Sequence, residues 1–129
     1  MRGLKQKQKI LLVEDDDGIR EMYRMKLELE KYDVMIAGDG KETLRLIKKG
    51  KPSLVFLDIL LPQKDGFEVL SEIRQSEDKK IKNIPVIILS NLSHIDDREE
   101  AEKLGASGYL VKAEVTPQEV ADKASKLLN

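Results

Sequence analysis

Residues 54–58 read Leu-Val-Phe-Leu-Asp, a run of four apolar side chains closed by a carboxylate. An apolar run of this length without alternation is typical of a strand covered on both faces, as in the parallel sheet of an α/β protein. Four further runs share this pattern, at residues 10–13, 34–37, 86–89 and 109–111. The sequence therefore predicts five short strands in one parallel sheet.

The segments between these runs carry apolar residues at helical spacing. After the first run, Ile19, Met22, Met25 and Leu29 recur at steps of three and four residues, which predicts a helix that buries this face. Shorter stripes predict a second helix after residues 38–40, a third after Gly66, a fourth from about Asp96 to Gly105, and a fifth that is capped at Thr116 and buries Val120, Ala124 and Leu127. Five strand–helix units with right-handed crossovers form a doubly wound, open α/β sheet with helices on both faces.

The length and composition are those of one soluble domain. The chain has 129 residues, with 40% hydrophobic and 36% charged residues, a net charge of −1 and no cysteine. The length fits a single folded domain over residues 9–129, and the basic residues Arg2, Lys5 and Lys7 predict a flexible N-terminal arm over residues 1–8. We expect a cytoplasmic location and no direct contact with nucleic acid or membrane, because no secretion signal, membrane-spanning run or strong basic excess is present.

Polar side chains follow four of the five predicted strands. In open α/β sheets, ligands bind beyond the carboxyl ends of the strands, so these positions meet at one edge. Each residue alone also has a structural interpretation, since an Asp or Ser after a strand often caps the next helix and a Lys there usually points to solvent. Asp16 and Asp17 fit such a cap as well as they fit a metal. The polar strand ends are residues 14–17, Asp58, Ser90 with Asn91, and Lys112.

The first and third strand ends would bring three carboxylates together if these strands are neighbours. Glu14, Asp15 and Asp58 would repel one another unless a cation intervened, and a few carboxylates completed by water suit Mg²⁺. With the cation in place, Asp58 could attack phosphorus as a nucleophile while the Lys112 ammonium and the Ser90 hydroxyl contact the phosphoryl oxygens. The pattern predicts an aspartyl-phosphate site.

Four motifs in this order resemble the receiver family of two-component response regulators. The likeness runs from about Lys9 to Leu128 and implies a flavodoxin-like (βα)5 fold with strand order 2-1-3-4-5. It implies that Asp58 is the phosphoacceptor, Asp15 a direct Mg²⁺ ligand, Glu14 an acidic partner acting through water, and the Leu60 carbonyl a further ligand. The motifs are Ile10-Leu-Leu-Val-Glu-Asp-Asp16, Leu57-Asp-Ile-Leu-Leu-Pro-Gln-Lys-Asp-Gly66, Pro85-Val-Ile-Ile-Leu-Ser90 and Gly105-Ala-Ser-Gly-Tyr-Leu-Val-Lys112.

The same resemblance implies a signalling switch. Ser90 and Lys112 would contact the phosphoryl group, and Tyr109 is similar to the family's aromatic switch, although it also suits an ordinary strand. The phosphoryl donor would be a sensor histidine kinase or a histidine phosphotransfer protein. The phosphorylated chain would bind a downstream protein target, and we expect the chain to be a monomer or weak dimer. Because the chain ends at Asn129, we expect its output to act through another protein or a phosphorelay.

The chain departs from the family pattern beside the site. Ala113 stands where the family usually has a proline after the lysine, and because a cis bond to Ala costs roughly 3–4 kcal/mol we expect a trans peptide and a reshaped loop. Leu60 and Leu92 lie two residues after Asp58 and Ser90. Since apolar side chains cannot orient an attacking water, we expect slow self-dephosphorylation.

Three other function classes compete with this interpretation. The main alternative is a pseudo-receiver, an interaction module that never takes phosphate. A dehalogenase-like phosphatase would need a second acid at the position of Leu60, and turnover of external substrates is not expected. A nucleotide or flavin binder is disfavoured because the carboxylates of residues 14–17 would repel a pyrophosphate.

Overall fold

Five parallel strands form one sheet in the order β2-β1-β3-β4-β5. The computed structural model describes residues 7–128. Each strand matches its predicted run to within one residue at either end, and the predicted strand order is confirmed. The strands are β1 (Lys9–Val13), β2 (Asp33–Ala37), β3 (Leu54–Leu57), β4 (Val86–Ser90) and β5 (Gly108–Val111).

Helices connect the strands and cover both faces of the sheet. Residues of α2, α3, α4 and α5 pack against one face, and residues of α1 and α6 pack against the other. The doubly wound α/β class is therefore confirmed. The helices are α1 (Asp17–Leu29), α2 (Gly40–Gly50), α3 (Gly66–Arg74), α4 (Lys79–Lys82), α5 (Ile95–Lys103) and α6 (Pro117–Leu128), with a 3₁₀ turn at Lys112–Glu114.

The central strand β1 shows why the apolar runs are continuous. Its side chains alternate between the two faces, so Leu11 and Val13 enter one core while Ile10 and Leu12 enter the other. All four are buried, and each such side chain contributes about 1.5–3 kcal/mol of transfer free energy. This two-sided burial fixes the register that carries the polar strand ends to one edge.

The predicted buried face of α1 is wrong. Met22, Met25 and Leu29 are 44%, 58% and 71% exposed, whereas Tyr23 and Leu27 are buried. Ile19 packs partly against the same core, so the buried stripe advances by four residues at each step. Both stripes have helical spacing, and the packing of α1 against the sheet and α6 decided between them. The prediction that α6 buries Leu127 is also wrong, because Leu127 is 37% exposed at the end of that helix.

The helix α4 was not among the five predicted helices. It has four residues, and Ile81 is its only buried side chain. The Asp78 side chain accepts a hydrogen bond from the backbone N–H of Lys80 at 2.9 Å and caps the helix. One apolar residue in a single turn leaves no periodicity for sequence reasoning to detect.

The N-terminal arm can be judged only at its end. Residues 1–6 and 129 lie outside the described residues, so the flexible basic arm over residues 1–8 stays a prediction. Gln8 is tied to the domain, because its carbonyl accepts the N–H of Asp33 at 3.0 Å and its side chain donates to the Leu128 carbonyl at 3.3 Å. Within residues 7–128, every helix is too short or too polar to cross a bilayer.

Candidate functional site: an acidic cluster at the strand edge

The predicted site residues meet at the carboxyl edge of the sheet. Strands β1 and β3 are neighbours, with Val13 paired to Leu57, so Glu14 and Asp58 leave adjacent strands at the same level. Ser90 ends β4, and Lys112 follows β5. The parallel sheet thus brings together side chains that are up to 98 residues apart in the chain.

Three carboxylates form a cluster suited to a hard cation. One oxygen each from Glu14, Asp15 and Asp58 lies within 4.8 Å of the others. Glu14 and Asp58 are buried, at 2% and 3% exposure, and Asp15 is exposed, so the cluster opens to solvent on one side. Burial raises the pKa of Glu14, opposed by its hydrogen bond from Lys112. An all-oxygen donor set with an open side fits Mg²⁺, which keeps several waters when bound.

Lys112 bridges the two buried carboxylates. Its Nζ lies 2.6 Å from Glu14 Oε1 and 2.6 Å from Asp58 Oδ2. Burial lowers the pKa of Lys112, but the hydrogen bonds from its ammonium to Asp58 and Glu14 outweigh that effect, so the pKa is raised overall. The ammonium therefore stays charged and offsets the negative charge of the cluster.

The second oxygen of Asp58 is held by the backbone. Asp58 Oδ1 accepts the N–H of Leu60 at 3.2 Å. The carbonyl of Asp58 lies against the start of α3, where a Cβ added to Gly66 would come within 2.3 Å of it. Sequence reasoning identified Gly66 only as part of a turn, since a close approach of backbone depends on how the loop folds.

Ser90 and Tyr109 are joined through the backbone of Leu92. Ser90 is fully buried, and its Oγ accepts the N–H of Leu92 at 3.3 Å. The Tyr109 hydroxyl donates to the Leu92 carbonyl at 2.5 Å, and the Arg98 guanidinium lies 5.1 Å from the centre of the Tyr109 ring. The backbone of Leu92, which sequence reasoning considered only for its side chain, is the common partner of both predicted switch residues.

The loop after Lys112 has the expected trans geometry. No peptide bond within residues 7–128 is cis, and Lys112–Glu114 form a 3₁₀ turn. The N–H of Ala113 donates to Asn91 Oδ1 at 2.9 Å. Alanine at this position therefore adds a hydrogen bond between two loops of the site.

Asp16 acts as a helix cap. Its side chain accepts the N–H of Ile19 at 2.9 Å at the start of α1, and its own N–H donates to Glu14 Oε2 at 3.1 Å. The cap orders the chain directly after Glu14 and Asp15, the two acidic residues that follow β1. Of the two interpretations of Asp16, the structure shows the cap.

A match to a family model identifies the protein family of this chain. Residues 10–124 match the model of the response regulator receiver domain. This chain is a receiver domain. Its strand order agrees with that family, and the resemblance drawn from the four motifs is confirmed.

Relatives of this receiver domain occur in full-length regulators and as solved structures. The probable transcriptional regulator ycf27 of Porphyridium aerugineum is 37% identical over 123 residues, which is 95% of this chain and 49% of that protein. The chemotaxis protein CheY4 of Vibrio cholerae superposes with a TM-score of 0.86 at 28% identity, covering 95% of this chain and 99% of that one. The Mn²⁺-bound form of response regulator Rcp1 superposes with a TM-score of 0.83 at 30% identity, covering 95% of each chain.

The chain spans about half the length of the curated relatives it matches. It corresponds to the receiver domain of a two-component response regulator. Receiver domains typically bind Mg²⁺, and the acidic cluster of this one could hold the ion.

Proposed function

We propose that this receiver domain takes a phosphoryl group from a partner's phosphohistidine onto Asp58 and then changes its affinity for a downstream protein. The observation that carries the proposal is that Asp58 belongs to the acidic cluster and also accepts a hydrogen bond from the Lys112 ammonium. A buried carboxylate between an ammonium and a cation site suits a nucleophile whose product gains negative charge. The partners are a sensor histidine kinase or a histidine phosphotransfer protein and a downstream protein target.

The transfer needs one nucleophile and fixed positive charge. An oxygen of Asp58 attacks phosphorus, a new O–P bond forms, and the P–N bond to the donor histidine breaks with its electron pair left on nitrogen. When bound, Mg²⁺ supplies charge that offsets the phosphoryl oxygens. Glu14, Asp15 and Asp58 would hold it, with the Leu60 carbonyl as a further ligand. Lys112 and Ser90 would contact the remaining oxygens.

The output would run through the bonds that meet at Leu92. A phosphoryl oxygen that accepts the Ser90 O–H and draws this side chain toward Asp58 would weaken the hydrogen bond that Ser90 Oγ accepts from the N–H of Leu92. Since the Leu92 carbonyl holds the Tyr109 hydroxyl, a shift of this backbone would change the position of Tyr109. Phosphorylation would thus bias two arrangements of the surface formed by α5, β5 and α6. We expect this domain to act in the cytoplasm as a monomer or weak dimer.

The mass of the intact protein tests the proposal. Incubation with Mg²⁺ and acetyl phosphate should add one phosphoryl group to the wild-type chain and none to Asp58→Asn. Asp122→Asn is the matched control, because Asp122 is exposed on α6 and bonds only Gln118 among the contacts described. It should keep the adduct. An adduct on Asp58→Asn would overturn the assignment of Asp58, and no adduct on any chain would favour a pseudo-receiver.

A further inference from the structure

One hydrogen bond joins the two loops that flank Asp58. The Oδ1 of Asn91 accepts the N–H of Ala113 at 2.9 Å. Asn91 directly follows Ser90, and Ala113 directly follows Lys112. The bond therefore connects the segment that supplies the hydroxyl of the site with the segment that supplies its ammonium.

The two segments differ in how firmly the fold holds them. Ser90 is fully buried as the last residue of β4. Lys112 starts a 3₁₀ turn of three residues, in which Ala113 and Glu114 are exposed. The Lys112 side chain itself is bonded to Glu14 and Asp58. Apart from those bonds, the described links between this turn and the segment after β4 are the bond to Asn91 and the ion pair of Arg98 with Glu114 at 4.0 Å, and exposed pairs of that length are weak. The short bond to Asn91 is the stronger of the two.

The bond depends on a backbone N–H at position 113. Every residue except proline supplies one, and asparagine at position 91 supplies a carbonyl oxygen of suitable reach. The acceptor belongs to a side chain and the donor to the backbone, so each can be removed without touching the other. This separation makes the link testable.

We propose that Asn91 is a positioning residue that fixes the Lys112 turn against the Ser90 loop, so that the ammonium and the hydroxyl can contact the same phosphoryl group. The proposal rests on phosphorylation of Asp58, as set out above. Loss of the bond removes no group of the site, but it lets the turn that carries Lys112 move. We expect the maximal rate of phosphorylation to fall about two- to fivefold, the range that corresponds to one exposed hydrogen bond.

A double-mutant cycle tests the link. Asn91→Ala removes the acceptor, Ala113→Pro removes the donor, and Ala113→Ser is the matched control that keeps the N–H. Phosphorylation by acetyl phosphate with saturating Mg²⁺ is followed over a range of donor concentrations. Both single variants should lower the maximal rate more than they change the half-saturating concentration, Ala113→Ser should match the wild type, and the double variant should be no slower than the slower single one.

Two results would overturn the proposal. One is an effect of Asn91→Ala that is equally large with proline or alanine at position 113. The other is an unchanged or faster rate in Asn91→Ala, which would mean that Asn91 only narrows access to the site. Thermal unfolding of each variant checks that a slow chain is still folded at the assay temperature.

Nuclear magnetic resonance separates failure of this link from failure of phosphorylation itself. In the unphosphorylated protein, Asn91→Ala should shift the amide resonances of Lys112 and Ala113, and in the Ala113→Pro background it should leave that of Lys112 unmoved. If the wild-type chain takes no phosphate but Asn91→Ala causes these shifts, only the proposed function is refuted. If the wild-type chain is phosphorylated but Asn91→Ala causes no such shifts, only the link is refuted.

Discussion

Replacement of Lys112 by methionine removes the one cation that contacts both buried carboxylates of the described site. The methionine keeps most of the apolar stem, so the change is chiefly one of charge. The Lys112 side chain is 10% exposed, and the side chains of its partners Glu14 and Asp58 are 3% and 5% exposed. Solvent therefore screens these contacts poorly, and the two carboxylates are left to repel each other.

The expected loss of stability follows from the two contacts of 2.6 Å. Hydrogen bonds to charged groups contribute about 1.5–3 kcal/mol each, and removal of one partner from a buried ion pair costs about 3–5 kcal/mol. Two such bonds together contribute about 3–6 kcal/mol, so both arguments give a loss of at least ~3 kcal/mol, which corresponds to a drop of ~10 °C or more in Tm for a domain of this size. We expect this loss in metal-free Lys112→Met at neutral pH.

The pH dependence has a definite sign. The pKa of Lys112 is raised, so its stabilising effect is complete at neutral pH and is lost only as the pH rises through that value. Burial already raises the pKa of Glu14, and loss of the ammonium raises it further. An acid whose pKa is raised on folding destabilises the fold when ionised. Acidification should therefore reduce the difference in the free energy of unfolding between Lys112→Met and the wild type.

Urea unfolding followed by circular dichroism, with chelator or with Mg²⁺, measures these differences. Mg²⁺ should return part of the lost stability, because the cation takes over the role of the ammonium. Lys64→Met is the matched control, since Lys64 pairs with Glu72 at the exposed surface, and it should change stability far less. The reasoning is refuted if Lys112→Met unfolds like Lys64→Met, or if its deficit is the same at every pH and with Mg²⁺.

Three further predictions concern the surroundings of Asp58. Gly66→Ala should destabilise by about 1–3 kcal/mol or more in urea unfolding, because its Cβ would lie 2.3 Å from the Asp58 carbonyl. Gly18 lies in α1, and a Cβ added there would be 3.5 Å from its nearest neighbour, so Gly18→Ala should be neutral or slightly stabilising. Equal losses of stability in the two variants would contradict the packing argument. Leu60→Gln or Leu92→Glu should shorten the half-life of the phosphorylated protein, measured by intact mass after donor removal; unchanged half-lives would disprove the expectation of slow self-dephosphorylation. Tyr109→Phe, which loses the bond to the Leu92 carbonyl, should be phosphorylated at the wild-type rate but show smaller phosphorylation-dependent shifts in α5 resonances, and full shifts would exclude Tyr109 from the switch.

The strands and the site edge could be predicted because two-sided burial leaves a strong mark on the sequence. A strand such as β3 must be apolar at every position, and the first polar residue after it, Asp58, marks where the chain leaves the core. The buried face of α1 could not be predicted, because two stripes of helical spacing exist and only tertiary packing chooses Tyr23 and Leu27 over Met22 and Met25.

The couplings within the site could not be predicted either. The bonds of the Leu92 backbone and the bond from Ala113 to Asn91 depend on loop conformation, which local sequence does not determine. Residue types at strand ends predict which groups meet. The geometry that joins them comes only from the folded loops.

Chemical trapping of the phosphorylated residue tests the central claim most directly. Borohydride reduces an aspartyl phosphate to homoserine, so peptide sequencing by mass spectrometry after treatment with acetyl phosphate and Mg²⁺ locates the modified residue. The account predicts homoserine at position 58, and its loss when Mg²⁺ is chelated. Homoserine at position 15 or at another aspartate, or an equal yield at position 58 without a divalent ion, would contradict it.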